Sequence, residues 1–314
     1  ATIIAEMTSV KTYNSNLAPR LIKENYLPGY NAMTFAKQKD MDILTYTIFG
    51  LMLMMIFFSL ANYVQGGNNE FLYYAGYAFF TGLMLFLARS NTMYATRTNF
   101  FIEGYFDFAL HLTGYCFYMI FMKKYLGTKE KYPFLQALFK FATYFLVIVL
   151  VLYTAVHFFT DFYYYEYLIE IISKSILIAI IPVFLFYSRT KWDNRLLRYM
   201  FWGNLSLLVF ALLSQMALIF RGVFASKGIL SQSLTYYEVG LLLELIFFLG
   251  GLTYKNKRLI IDQTKERERL RTENERKEIE KQLAVLKAQQ EERNRISADM
   301  HDELGSGMTA IRLM

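Results

Sequence analysis

Cysteine and proline are scarce in this sequence: one cysteine, Cys116, and four prolines stand in 314 residues. A lone thiol inside an apolar run excludes an intrachain disulfide and any cysteine-based zinc site. The last proline is Pro182, so the long C-terminal part lacks the residue that most strongly breaks helices. Charge is sparse as well until the C-terminal fifth, where it is crowded, while more than half of all residues are hydrophobic. The first residues, from Ala1, lack the basic, apolar and small-residue succession of a signal peptide. They suggest a chain processed or excised at both ends from something longer.

What is present is a series of apolar runs of roughly twenty residues, the length that crosses about 30 Å of hydrocarbon as a helix. A soluble bundle would show a polar stripe along most helices, and these runs lack one. The pattern predicts an all-α membrane protein with seven spans, at 42–63, 71–88, 100–122, 136–157, 167–187, 196–220 and 234–254. Most gaps are short and polar, as in Gln65-Gly-Gly-Asn-Asn69 and Ser188-Arg-Thr-Lys-Trp-Asp-Asn-Arg195. Residues 1–41 are polar, contain Pro19 and Pro28, and include one strand-like stretch, Thr2-Ile-Ile-Ala-Glu-Met-Thr8. They are expected to be an external linker from a further N-terminal domain.

The net charge of +7 reads as membrane orientation rather than nucleic-acid binding, because the basic residues sit in loops beside spans. Lys123, Lys124, Lys129 and Lys131 follow span three; Arg189, Lys191, Arg195 and Arg198 follow span five; Lys255, Lys257 and Arg258 follow span seven. The opposite side has Arg89, Arg97, Arg221 and Lys227. The loop after span one is neutral and Lys37 and Lys39 lie just before that span, so the bias holds on balance. It puts the C-terminus in the cytoplasm and the N-terminus outside. Phe158-Phe-Thr-Asp-Phe-Tyr-Tyr-Tyr-Glu-Tyr167 fits an aromatic belt at the outer interface.

From span seven to Met314 good helix formers predominate, which predicts a helix of about 120 Å if unbroken. Residues 255–290 read as a signalling coiled coil. Glu273–Lys277 and Glu291–Arg295 have the favourable i, i+4 order, and Ile279, Leu283 and Leu286 form a seam. Leu270, nine residues before Ile279, breaks the strict heptad with the spacing of a stutter. A merely solvated helix is the competing reading. Gly250 and Gly251 are either a hinge or close-packing residues.

Residues 291–314 hold the sharpest chemical signal. Ile296, Met300, Leu304, Met308 and Ile311 make one apolar face, and His301 sits one step, about 100°, round from Met300. Neutral imidazole is a competent nucleophile, and a carboxylate beside it can take the proton from one ring nitrogen. Phosphoryl transfer also needs a metal–nucleotide complex, for which these residues offer no motif. The string Glu291-Glu-Arg-Asn-Arg-Ile-Ser-Ala-Asp-Met-His-Asp-Glu-Leu-Gly-Ser-Gly-Met-Thr-Ala-Ile311 closely resembles the first helix of the dimerisation and phosphoacceptor domain of sensor histidine kinases. The resemblance implies that His301 is autophosphorylated and that Asp302 is its general base. It further implies a homodimeric four-helix bundle, ATP and Mg used through a separate catalytic domain, and phosphotransfer to a response-regulator receiver domain. Ser306 stands where such helices often carry a glutamine for dephosphorylation.

Asn62-Tyr63, then Phe71-Leu-Tyr-Tyr74 and Tyr77, look like bacterial seven-transmembrane receptors with diverse intracellular signalling modules. That likeness implies a bacterial cytoplasmic membrane, an unknown external ligand, and an output module selected here by His301.

Within the spans, Glu103, Asp107 and His111 form an i, i+4, i+8 row; Glu170 and Lys174 are four apart; Glu238 and Glu244 lie in span seven. Two readings stay open. One is an outward polar pocket for a ligand or ion, in which Glu103, Asp107 and His111 offer oxygen and nitrogen donors. The other is structural: a Glu170–Lys174 pair, an Asp107–His111 hydrogen bond, and Glu103 and Glu238 at the interface. No metal is assigned. The functional expectation is a transmembrane sensor histidine kinase of a two-component system; the alternative is a seven-helix ion-binding or transport protein with a dimerising tail.

Overall fold

The computed structural model describes residues 23–90, 98, 101–160, 163–219 and 233–312. The strand-like stretch at 2–8, and Arg97, Arg221 and Lys227, lie outside them. The described residues are helical with no strand, and the chain divides into two units, Ala1–Lys255 and Asn256–Met314.

In the first unit a 3-10 turn, Glu24–Tyr26, leads into α1, Leu27–Gly66. The expected linker is therefore helical from Leu27 on, ahead of the apolar run. Pro28 suits the first turn of α1, where its missing N–H costs no hydrogen bond. Gly67 ends the helix with φ 64°, and its N–H donates to the Tyr63 carbonyl at 2.7 Å. Then come α2, Asn69–Ser90, and a π-helical turn, Ile102–Phe106, opening α3, Asp107–Leu126. Gly127, again left-handed, turns the chain into the short α4, Thr128–Lys131. The remaining helices are α5, Pro133–Phe159; α6, Tyr163–Thr190; α7, Arg195–Ile219; and α8, Ser233–Arg312.

Six described helices are long and apolar enough to cross a membrane. The third of the seven expected spans is helical too, but it is not among those six: Asp107, His111, Lys123 and Lys124 leave α3 more polar than the other spans. It is an interior helix. Both α2 and α5 pack on α3, and Phe108, Leu112, Phe121 and Met122 are buried on it.

Outward faces carry the opposite chemistry to a soluble protein. Phe141, Ile148, Val151 and Phe186 are exposed, whereas Thr45, Ser59, Asn204 and Glu244 are buried. Such a surface suits hydrocarbon, and the polar interior follows because lipid offers no hydrogen bonds.

Close helix approach at α8 rests on missing side chains. A Cβ on Gly251 would collide with the Tyr125 hydroxyl and lie 3.0 Å from Tyr199 Cβ; one on Gly203 would meet the Phe248 ring. The helix runs through Gly250 and Gly251 without a break, and the close approach is at Gly251.

Candidate functional site

One end of the bundle gathers the basic loops. Lys255 Nζ donates to Glu70 Oε1 at 3.0 Å and to the carbonyls of Tyr125 at 2.8 Å and Lys124 at 3.3 Å. It thereby caps the C-terminus of α3, where a cation is favoured by the helix dipole. Asn194 Nδ2 donates to Tyr132 Oη at 2.7 Å, tying the α6–α7 turn to the start of α5. The Arg195 guanidinium lies over the Tyr254 ring. Sequence alone counted Lys255 and Arg195 as orientation charges; their specific partners required the packing.

Among the described residues deeper in the first unit, three polar sets involve the intramembrane groups singled out in the sequence. Arg89 pairs with Asp42, while Thr45 Oγ1 donates to Glu238 Oε1 at 2.7 Å. Glu238 is fully buried. Arg89, expected simply as a loop charge, is itself buried.

In the second set Lys174 pairs with Glu170, which the sequence spacing anticipated, and sits over the Phe108 ring. Asp107 and His111 on α3 lie in the electrostatic reach of Lys174. His111 packs edge-on against Tyr115, centroids 4.5 Å apart, rather than hydrogen-bonding to Asp107. Glu103 is exposed and acts electrostatically on Asp107. Glu103 stands in the π-helical turn, whose wider winding departs from a regular i, i+4, i+8 row. Among the described residues no three His, Cys, Asp or Glu side chains gather in a group that could hold a metal.

The third set surrounds Glu244 and is one that sequence reasoning missed. Tyr77 Oη donates to Glu244 Oε2 at 2.6 Å, Tyr74 Oη to the Leu245 carbonyl at 3.1 Å, and Tyr118 Oη to Asn204 Oδ1 at 2.6 Å. Tyr115 and Tyr237 share a hydrogen bond. Tyr237 feels both Asp107 and Glu244, so the second and third sets are neighbours. Tyrosine is so common here that its number hid this cage; Tyr77 and Glu244 are 167 positions apart.

The first unit matches the family model described as 7TM diverse intracellular signalling, over residues 41–255. The chain belongs to that family. No curated protein and no solved structure matches it. The family match ends at Lys255, so His301 lies beyond it.

The second unit is helical, and its apolar residues are uncovered. Leu270, Ile279, Leu283, Leu286, Ile296, Met300 and Leu304 are each more than half exposed. Ion pairs run along the same helix, among them Lys277–Glu273 at 2.8 Å and Arg276–Glu280 at 2.8 Å. Glu291–Arg295 was the expected pairing; Arg295 instead meets Glu292 at 2.9 Å, one residue closer along the helix. His301 is exposed on this helix. The backbones of Asp302 and Ser306 are helical, but their side chains lie outside the described residues.

Proposed function

We propose that this chain is the membrane and signal-transmission part of a homodimeric sensor histidine kinase, with His301 as phosphoacceptor. The observation that carries the reading is an exposed histidine, in a phosphoacceptor-like sequence, on the same α-helix, Ser233–Arg312, that supplies the last span of a signalling-family bundle. The uncovered apolar residues of the second unit supply a surface for a second copy. The basic end of the bundle faces the cytoplasm by the positive-inside bias, in a bacterial inner membrane, and the N-terminus is external.

In the transfer step a ring nitrogen of neutral His301 attacks the γ-phosphorus of ATP. A new N–P bond forms, the bond from phosphorus to the β–γ bridging oxygen breaks, and ADP leaves. The proton on the other ring nitrogen passes to the Asp302 carboxylate. ATP and Mg are brought by a nucleotide-binding domain, and the phosphoryl group then moves to an aspartate of a response-regulator receiver. A movement at the bundle end of α8, triggered by an external ligand, would reach His301 along the helix backbone.

The deciding experiment joins this chain to a kinase ATP-binding domain and supplies labelled ATP in membranes. Acid-labile phosphate is expected, and it is lost in His301→Gln. Phosphate that persists in that variant defeats the assignment.

A further inference from the structure

Glu238 and Glu244 stand six residues apart on α8, and both are 0% exposed. Their surroundings differ. Each has one carboxyl oxygen without a hydrogen-bond partner, but Glu238 accepts from Thr45 and lies in the field of Arg89. Glu244 forms no ion pair with any described lysine, arginine or histidine. Its Oε2 accepts from Tyr77, and its Oε1 has no hydrogen-bond partner.

The titratable groups that face it are phenols: Tyr74 and Tyr77 from α2, Tyr115 and Tyr118 from α3, and Tyr237 from its own helix. From α7 the nearby groups are uncharged, with Gly203 against the Glu244 backbone and Asn204 holding Tyr118. Each phenol donates one proton. Tyr74 gives its own to Leu245, Tyr118 to Asn204, and Tyr115 and Tyr237 are engaged with each other. Tyr77 alone serves the carboxyl. An ionised carboxylate offers about four acceptor sites and needs a counter-charge when buried, whereas a neutral acid carries no charge to compensate.

We infer that Glu244 is a proton-binding site inside the bundle, its carboxyl protonated on Oε1 and held within the cage of tyrosines. A metal ion does not suit the place, because it would require several oxygen ligands and no second carboxylate joins Glu244 there. The inference is independent of His301. Loss of the proton would set an uncompensated charge on α8 in a dry aromatic surround, and repacking of α2, α3 and α8 would follow.

The test is infrared spectroscopy of the full chain in lipid vesicles at neutral pH, in ordinary and heavy water. A carbonyl band of a protonated carboxylic acid, shifted in heavy water, is expected. Glu244→Gln removes it, Glu238→Gln leaves it, and Tyr77→Phe moves its frequency without abolishing it. The absence of such a band in the unaltered chain overturns the proposal, as does a band that survives in Glu244→Gln. Should Glu244→Gln fail to fold, Tyr77→Phe decides: a band it leaves unmoved does not belong to Glu244.

Discussion

Lys255 Nζ lies 2.8 Å from the Tyr125 carbonyl and 3.0 Å from Glu70 Oε1, so one lysine on α8 holds the end of α3 and the start of α2 together. The pair with Glu70 is about one-fifth exposed on each side, enough shielding for it to count. Lys255→Met should destabilise the bundle by about 1–2 kcal/mol through lost charge-assisted hydrogen bonds. Glu70→Gln should cost less, because the α3 carbonyls keep their donor. Thermal unfolding in detergent reads both, and equal losses would mean that the ion pair, not the helix cap, matters.

Gly251 and Gly250 differ in what a methyl group would meet. At Gly251 it strikes the Tyr125 hydroxyl and Tyr199, while at Gly250 it lies in ordinary contact, 3.5 Å from the Tyr199 ring. Gly251→Ala is expected to destabilise by about 1–3 kcal/mol, as overpacking does. Gly250→Ala is expected to be neutral or to stabilise by up to about 1 kcal/mol from helix propensity. A hinge at this pair would instead make both substitutions alter signalling output at unchanged melting temperature.

Tyr118 and Asn204 form a buried 2.6 Å hydrogen bond between α3 and α7, with Asn204 2% exposed. Tyr118→Phe should cost about 1–3 kcal/mol, because it leaves the Asn204 oxygen unpaired. The double variant with Asn204→Leu should lose less than the sum of the single losses. Additive losses in a double-mutant cycle would show that the bond contributes nothing of its own.

The seam in the second unit separates Leu283 and Leu286 from Val285, although all three are similarly exposed. Lysine at Leu283 or Leu286 should cut cross-linked dimer in membranes several-fold, whereas Val285→Lys should change it little. Uniform effects at the three positions would mean that the helix has no preferred facing side.

Much of the architecture was legible in advance, for a physical reason: hydrocarbon demands apolar runs of fixed length, and such runs are visible one residue at a time. The helix at 102–126 shows the limit. Its polar groups weaken the apolar signal because it is an interior helix, and interior position is a tertiary property. The row Glu103–Asp107–His111 assumed regular winding, from which the π turn at Ile102–Phe106 departs, although Glu103 still acts on Asp107. Glu170–Lys174, a contact within one turn of one helix, was readable from spacing.

The sequence by itself thus determined what depends on composition and short spacing: the helices, the apolar runs within them and the charged tail. Only the tertiary structure decided which polar groups meet. Thr45 reaches Glu238 across 193 positions and Tyr77 reaches Glu244 across 167, because helices distant in sequence must share their buried polar atoms where lipid supplies no partners.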